Sequence, residues 1–224
     1  MDGVLYDSMP LHAKAWVEAM QTFGISMTEH EAYMTEGQRG IDTIRQMVFE
    51  QQHRTISEAE AQAMYDEKAR LFHLNPKAPV FKGVTALMEK IKADGLEIGI
   101  VTGSGQRPLI KRLLDDFGTY VEASHIVTAY DVVHGKPSAE PYLTGLQKCS
   151  GPSEEERLRP WEGIVVENAP MGVRAGVAAG CFTIAVNSGP LPDEVLLAEH
   201  PDLLLHSIDE LQRGWDGISR QQPH

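Results

Sequence analysis

The sequence predicts an α/β protein: a doubly wound parallel sheet that carries an inserted helical domain. Two observations lead there. Downstream of Asn75-Pro76-Lys77-Ala78-Pro79, short apolar runs alternate with glycine-rich turns and amphipathic helical patterns, as expected of parallel strands joined by crossover helices and covered on both faces. Upstream, from Pro10 to about Asn75, the periodicity is helical throughout. The proline-bearing stretch is the boundary. Residues 10–79 are therefore expected to form a helical insertion, with 1–9 and 80–224 forming the α/β core, a division that 224 residues can support.

In the insertion, Trp16, Met20 and Phe23 share a face, followed by Ile44, Met47 and Val48, then by Met64, Leu71 and Phe72; Gly24, Gly37 and Gly40 punctuate these segments. The core repeats one unit. Leu96–Val101 reads as a strand, Thr102–Gly105 as a turn, and Leu109, Ile110, Leu113, Leu114 and Phe117 as the apolar face of a helix. Similar strand runs are His125–Thr128, Gly163–Val166, Phe182–Val186 and Leu203–Leu205. Such sheets bind ligands beyond the carboxyl ends of their strands, and the candidate residues below fall there.

Lys and Arg number 20 against 32 Asp and Glu, a formal charge of -12 with no basic cluster. Nucleic acid and anionic membrane are poor partners for such a surface. The two cysteines, Cys149 and Cys181, have no metal-ligand spacing and suggest no disulfide framework. No run approaches the roughly 18 to 20 apolar residues of a membrane helix, and the N-terminus lacks the features of a signal peptide. A cytoplasmic protein is expected, with a frayed end at Gln221–His224.

Four segments carry chemistry. Met1-Asp2-Gly3-Val4-Leu5 reads as the second part of an Asp-x-Asp-Gly-x-Leu loop, in which one aspartate attacks phosphorus and the next handles the proton. An ordinary Asp-Gly turn reads the same residues equally well. Thr102-Gly103-Ser104-Gly105 brings hydroxyls and free N–H groups to a helix start with Pro108 in its first turn, a pocket for an anion or simply a capped turn. Lys136, fixed before Pro137, can hold a carboxylate and a phosphoryl oxygen together, although most lysines face only solvent. Glu167 and Asn168 end an apolar strand with two oxygen-bearing side chains that suit magnesium, while Asn168 can also cap the helix entered through Pro170.

In this order and spacing, Asp2-Gly3-Val4, Val101–Ser104, Gly135-Lys136-Pro137 and Val166-Glu167-Asn168 resemble the four motifs of the haloacid dehalogenase superfamily. The likeness extends to Pro141-Tyr142 and to the Ala175–Gly180 helix. It is nearest to the β-phosphoglucomutase-like branch, phosphatases and phosphohexomutases with a helical cap inserted after the first motif. The resemblance implies a Rossmann-like core and an aspartyl-phosphate intermediate bridged by Mg2+. Asp2 is then the acid/base and, through its main-chain carbonyl, a metal ligand; Thr102, Gly103 and Ser104 hold phosphoryl oxygens; and Lys136 offsets the gathered negative charge. Glu167 and Asn168 match the metal-binding pair, whose second member is usually Asp, so weaker metal binding is expected. His12 matches a histidine at the hinge into the cap, and reads equally as a partly buried helix residue. Arg39 and Arg70 are the candidates to grip a distal phosphate or sugar, with Arg39 one position earlier than the mutase pattern places its arginine, which counts against phosphohexomutase specificity.

The resemblance also places the attacking aspartate, at the end of the central strand, immediately before Met1. The natural chain is accordingly expected to begin upstream, and the chain from Met1 onward to be inactive. The expected function is magnesium-dependent phosphohydrolysis or phosphomutation of a small phosphorylated metabolite, sugar phosphates included, by a monomer or weak dimer. A dehalogenase would have no use for Asp2. The alternative from another class is a catalytically inactive metabolite-binding or regulatory protein of the same fold.

Overall fold

The computed structural model describes residues 1–219, so the expected frayed end at 221–224 lies outside the described residues. Residues 1–8 form a tight turn. The amides of Val4, Leu5 and Tyr6 all point to the Met1 carbonyl, at 2.8–3.4 Å, and Gly3 takes φ +68°, a conformation glycine adopts without strain. The two ends of the insertion leave the core side by side: Asp7 N–H donates to Pro79 O at 2.9 Å, Phe81 N–H to Leu5 O at 3.0 Å, and Tyr6 bridges Val80.

Four helices follow: α1 (Met9–Thr22), α2 (Glu29–Met34), α3 (Gly40–Gln52) and α4 (Glu58–His73). A Thr28–Glu31 capping box starts α2, and the Ser57 hydroxyl accepts from Glu60 N–H to start α4. Trp16, Met20, Ile44, Met47, Val48 and Met64 close a core of their own, into which Leu191 reaches from the α/β domain. Phe23 departs from the expected face. It lies beyond the last turn of α1 and is 37% exposed, because the chain has left the helical register there.

The α/β domain runs α5 (Val84–Ala93), β1 (Ile100–Val101), α6 (Arg107–Phe117), β2 (Ile126–Val127), α7 (Glu140–Cys149), β3 (Ile164–Glu167), α8 (Pro170–Ala179), β4 (Phe182–Val186), α9 (Asp193–Leu197), β5 (Leu203–Leu205) and α10 (Ile208–Ser219). All pairings between these strands are parallel, in two ladders, β1–β2 and β3–β4–β5. The N-terminal turn packs against both: Val4, Leu5 and Tyr6 share one apolar cluster with Ile100, Ile126, Ile184 and Val186. β1 is shorter than the run Leu96–Val101 suggests. Ile100 pairs with Ile126, and the residues before Ile126 are wound into a short 3-10 turn, Ala123–His125, that offers no ladder to 96–99. No helix among the described residues is long and apolar enough to cross a membrane.

Candidate active site

The site lies where the ends of β1 and β3, the N-terminal turn and the helical cap meet. Ser8, a favourable residue type at the N-cap of α1, does not cap the helix; its hydroxyl donates to Asp2 Oδ1 at 2.6 Å. One turn into α1, His12 is 4% exposed and places Nε2 3.1 Å from the same oxygen. The angle of this contact falls short of a hydrogen bond, so Nε2 is a buried nitrogen with no hydrogen-bond partner. The Asp2 carboxyl is held below its ordinary pKa. Burial works in the opposite direction, and His12, the Met1 amino group and the Ser8 hydroxyl together outweigh it.

The other face of His12 meets the cap. Its ring stacks on Phe72 with centroids 3.9 Å apart, and Nδ1 lies 2.7 Å from Lys68 Nζ. An ammonium can only donate, so with Lys68 charged the ring proton sits on Nε2, facing Asp2. Lys68 is 3% exposed among Trp16, Tyr65 and Phe72, its Nζ 5.0–5.9 Å from their centroids. Burial lowers its pKa to about 8, against the opposing pull of Glu36 and Asp2.

On the core side, Lys136 and Glu167 form a buried ion pair, and Tyr142 also donates its hydroxyl to Glu167 Oε1. Lys136 Nζ additionally donates to Val101 O at 3.3 Å and lies 4.9 Å from the Tyr142 ring centroid. Burial would raise the Glu167 pKa; Lys136, then the Met1 amino group and Tyr142, bring it below the ordinary value. Thr102 Oγ1 accepts from Ser104 N–H at 3.1 Å, and Ser104 Oγ from Gln106 N–H at 3.2 Å, which fixes the turn at the head of α6. The Met1 amino nitrogen lies in the field of Asp2, Glu167, Lys136 and Glu36. The N-terminal turn thus runs through the middle of the constellation.

Asn168 packs on this turn closely enough that a Cβ on Gly3 would fall 2.0 Å from its Nδ2. Glu167 Oε1 is engaged by Lys136 and Tyr142, and among the described residues Oε2 accepts only the Asn168 N–H, at 3.2 Å. The Glu167 carboxylate, the Asn168 amide and the Asp2 main chain offer oxygen donors on touching segments. That donor set fits a hard cation such as magnesium.

The cap segment Gly37-Gln38 is seated directly on the Thr102–Gly105 turn. A Cβ at Gly103 would fall 2.6 Å from the carbonyl oxygens of both Gly37 and Gln38, and one at Gly37 would fall 3.2 Å from Lys136 Cδ. Tyr65 from α4 accepts from Gln106 Nε2 at 3.1 Å.

Of the residues expected from the sequence, Asp2, His12, Thr102, Gly103, Ser104, Lys136, Glu167 and Asn168 are brought together. Arg39 lies at the rim, over Gly135, with its guanidinium held by Asp42 at 2.7 and 3.0 Å. Arg70 requires correction. It is exposed and paired with Glu67, because two residues of helix turn it roughly 200° from Lys68. Lys68 is the cation that α4 delivers, and sequence reasoning missed it. The signal was present: Lys68 falls four residues from both Met64 and Phe72, a charge on the apolar stripe. Ser8 and the role of Tyr142 were missed as well.

A profile of the haloacid dehalogenase-like hydrolases matches residues 1–186. Hexitol phosphatase A of Escherichia coli is 33% identical over 217 residues, 94% of this chain and 90% of that protein. A phosphorylated carbohydrates phosphatase of Thermotoga maritima is 28% identical over 185 residues, 80% of this chain and 79% of its own. A solved structure from Bacteroides vulgatus, named as a candidate β-phosphoglucomutase, superposes with a TM-score of 0.92 at 43% identity, covering 100% of this chain and 88% of that one. With the four motif segments converging as described, the chain belongs to the haloacid dehalogenase-like hydrolase family.

Proposed function

We propose that the protein is a magnesium-dependent phosphohydrolase or phosphomutase of small phosphorylated metabolites, sugar and polyol phosphates among them, working through an aspartyl-phosphate in the cytoplasm as a monomer or weak dimer. The observation that carries this reading is the gathering of Asp2, Lys136 and Glu167 about the Met1 nitrogen, with Asn168 against Gly3 and Lys136 donating to Val101 at the start of the Thr102 loop. An aspartate joined to that nitrogen would be directed among them. The printed names of the Escherichia coli and Thermotoga maritima relatives support the substrate class.

Each residue then has a task. The N–H groups and hydroxyls of Thr102, Gly103 and Ser104 hold the phosphoryl oxygens at the start of α6. Lys136, tied to Glu167, offsets charge on nucleophile and phosphoryl group in a closed site where such a charge counts most. Glu167, Asn168 and the Asp2 main-chain carbonyl would hold magnesium, which would supply charge neutralisation. Asp2 passes a proton to the leaving oxygen and takes one from the attacking water, with His12 and Lys68 setting its protonation from the cap. Because α1 and α4 carry those two residues, the acid/base is completed by the cap when it is seated. Hydrolysis is the favoured form, since the Arg39 guanidinium is already engaged by Asp42.

The test compares this chain with one extended upstream through an aspartate. Magnesium-dependent phosphate release from a sugar phosphate by the extended protein alone, lost in Asp2→Asn, is expected. Phosphate release by neither form would favour a binding protein, and full turnover by Asp2→Asn would remove Asp2 from its role.

A further inference from the structure

A second cluster of ligand-type side chains lies at the opposite end of the strands from the active site. Glu97 leads into β1, and Glu122 and His125 lead into β2 through the short turn Ala123–His125. β1 and β2 run parallel with Ile100 beside Ile126, so the two segments enter the sheet side by side. Gly99 makes their approach close: a Cβ there would fall 2.9 Å from Cys149 Sγ and 3.5 Å from His125 O. One oxygen from each glutamate and one His125 ring nitrogen all lie within 4.8 Å of one another. His125 separates this cluster from a patch of solvated acids. Its side chain is 12% exposed, and Nδ1 is enclosed with no hydrogen-bond partner among the described residues. Glu97 Oε2 lies 3.7 Å from that nitrogen and Glu122 Oε2 3.9 Å from Nε2, both too far for a hydrogen bond. A buried ring nitrogen without a partner costs free energy, and a metal ion bound to it would recover that cost.

We propose that Glu97, Glu122 and His125 form a second metal site, which takes zinc and ties the entries of β1 and β2 together. Two carboxylates and an imidazole are a mixed oxygen and nitrogen set. The nitrogen selects zinc over magnesium, which takes oxygen ligands. Ligand atoms around a tetrahedral ion with bonds of about 2.0–2.2 Å stand roughly 3.3–3.6 Å apart, so shifts of about 1 Å would close the set. The glutamates can make them, since their side chains are 45% and 72% exposed. Lys92 Nζ, 3.1 Å from Glu97 Oε2, competes for one carboxylate, but an exposed pair of this kind holds weakly. Glu97 and the 122–125 segment meet only in the folded chain, so zinc bound there stabilises the fold. None of these residues takes part in the phosphotransfer reading, and the site stands whether or not that reading does.

Calorimetric titration of this chain with zinc chloride, in excess magnesium chloride, tests the site without turnover. The wild type is expected to show a zinc-binding event that magnesium does not displace. His125→Ala should abolish that event, and Glu122→Gln should weaken it by at least about tenfold, the lower end of what losing even a supporting partner of a metal ligand costs. Zinc should also raise the unfolding temperature of the wild type and leave that of His125→Ala unmoved. Glu122 is exposed, so Glu122→Gln keeps the test valid should His125→Ala fail to fold. No zinc binding by the wild type, or a zinc isotherm that is the same in the wild type and in either folded variant, overturns the proposal.

Discussion

His12 Nε2 lies 3.1 Å from Asp2 Oδ1, which joins the first helix of the cap to the N-terminal turn of the core in a single buried contact. The same imidazole is held from behind by Lys68 at 2.7 Å. The low pKa of Asp2 therefore depends on a cap residue as well as on the core.

Removing that contact should show in a pH profile. His12 is the largest of the influences that hold the Asp2 carboxyl low, so His12→Leu, which removes the ring nitrogen facing Asp2, should move the acid limb of kcat/KM to higher pH. The rate at neutral pH should fall about 10- to 100-fold, the usual scale of an acid/base contribution. Measuring kcat/KM from pH 4 to 9 in the upstream-extended protein checks this; an unmoved acid limb would mean that His12 does not set the Asp2 charge.

Lys68 makes a prediction about stability. The unfolded chain holds this proton up to pH 10.5 and the folded chain only to about 8. Between those values the unfolded state binds more protons, so the Lys68 contribution rises with pH across that window and is a fixed penalty below it. Lys68→Met keeps the length and removes the buried charge. Its unfolding free energy at pH 7 should exceed that of the wild type by about 1 to 3 kcal/mol, with the gap closing toward pH 10. Urea unfolding at pH 7 and pH 9.5 tests both the sign and the window.

The Lys136–Glu167 pair has its own window, at acid pH. Lys136→Met leaves Glu167 buried with only Tyr142 as a side-chain partner, which should cost about 3 to 5 kcal/mol at neutral pH. In the wild type the Glu167 pKa is depressed, so its contribution is present above the unfolded value of 4.5 and is lost as pH falls through the lower folded value. In the variant, protonation relieves the stranded carboxylate. The difference in stability between the two proteins should therefore shrink from pH 7 to pH 4, and a difference independent of pH would place its origin in packing.

Asn168 predicts a gain. Replacing the amide by a carboxylate adds one negative charge to the proposed cation site with almost no change in shape. Asn168→Asp should tighten magnesium binding by about tenfold, since ligand charge count tunes such sites. Calorimetric titration with magnesium chloride measures it without turnover. Equal affinity in the two proteins would place Asn168 outside the ligand set and leave it as a residue that packs on Gly3.

Local sequence carries the α/β architecture and most of the chemistry. Strand and helix periodicities are local, and the motif segments sit at strand ends, so Asp2, Thr102, Lys136, Glu167 and Asn168 were legible one segment at a time. The strand Leu96–Val101 was legible only in part, because its length depends on what β2 offers as a partner. Arg70 and Lys68 mark the same limit within one helix. Both are cations in the same turn of α4, and which one faces His12 depends on how that helix is rotated against α1. Sequence by itself determined which chemical groups this protein possesses and the order in which its strands deliver them, since both are fixed by short-range pattern. The tertiary structure alone decided which of those groups share a buried space, because that depends on contacts between residues far apart in the chain, such as Lys68 with His12 and Gly3 with Asn168.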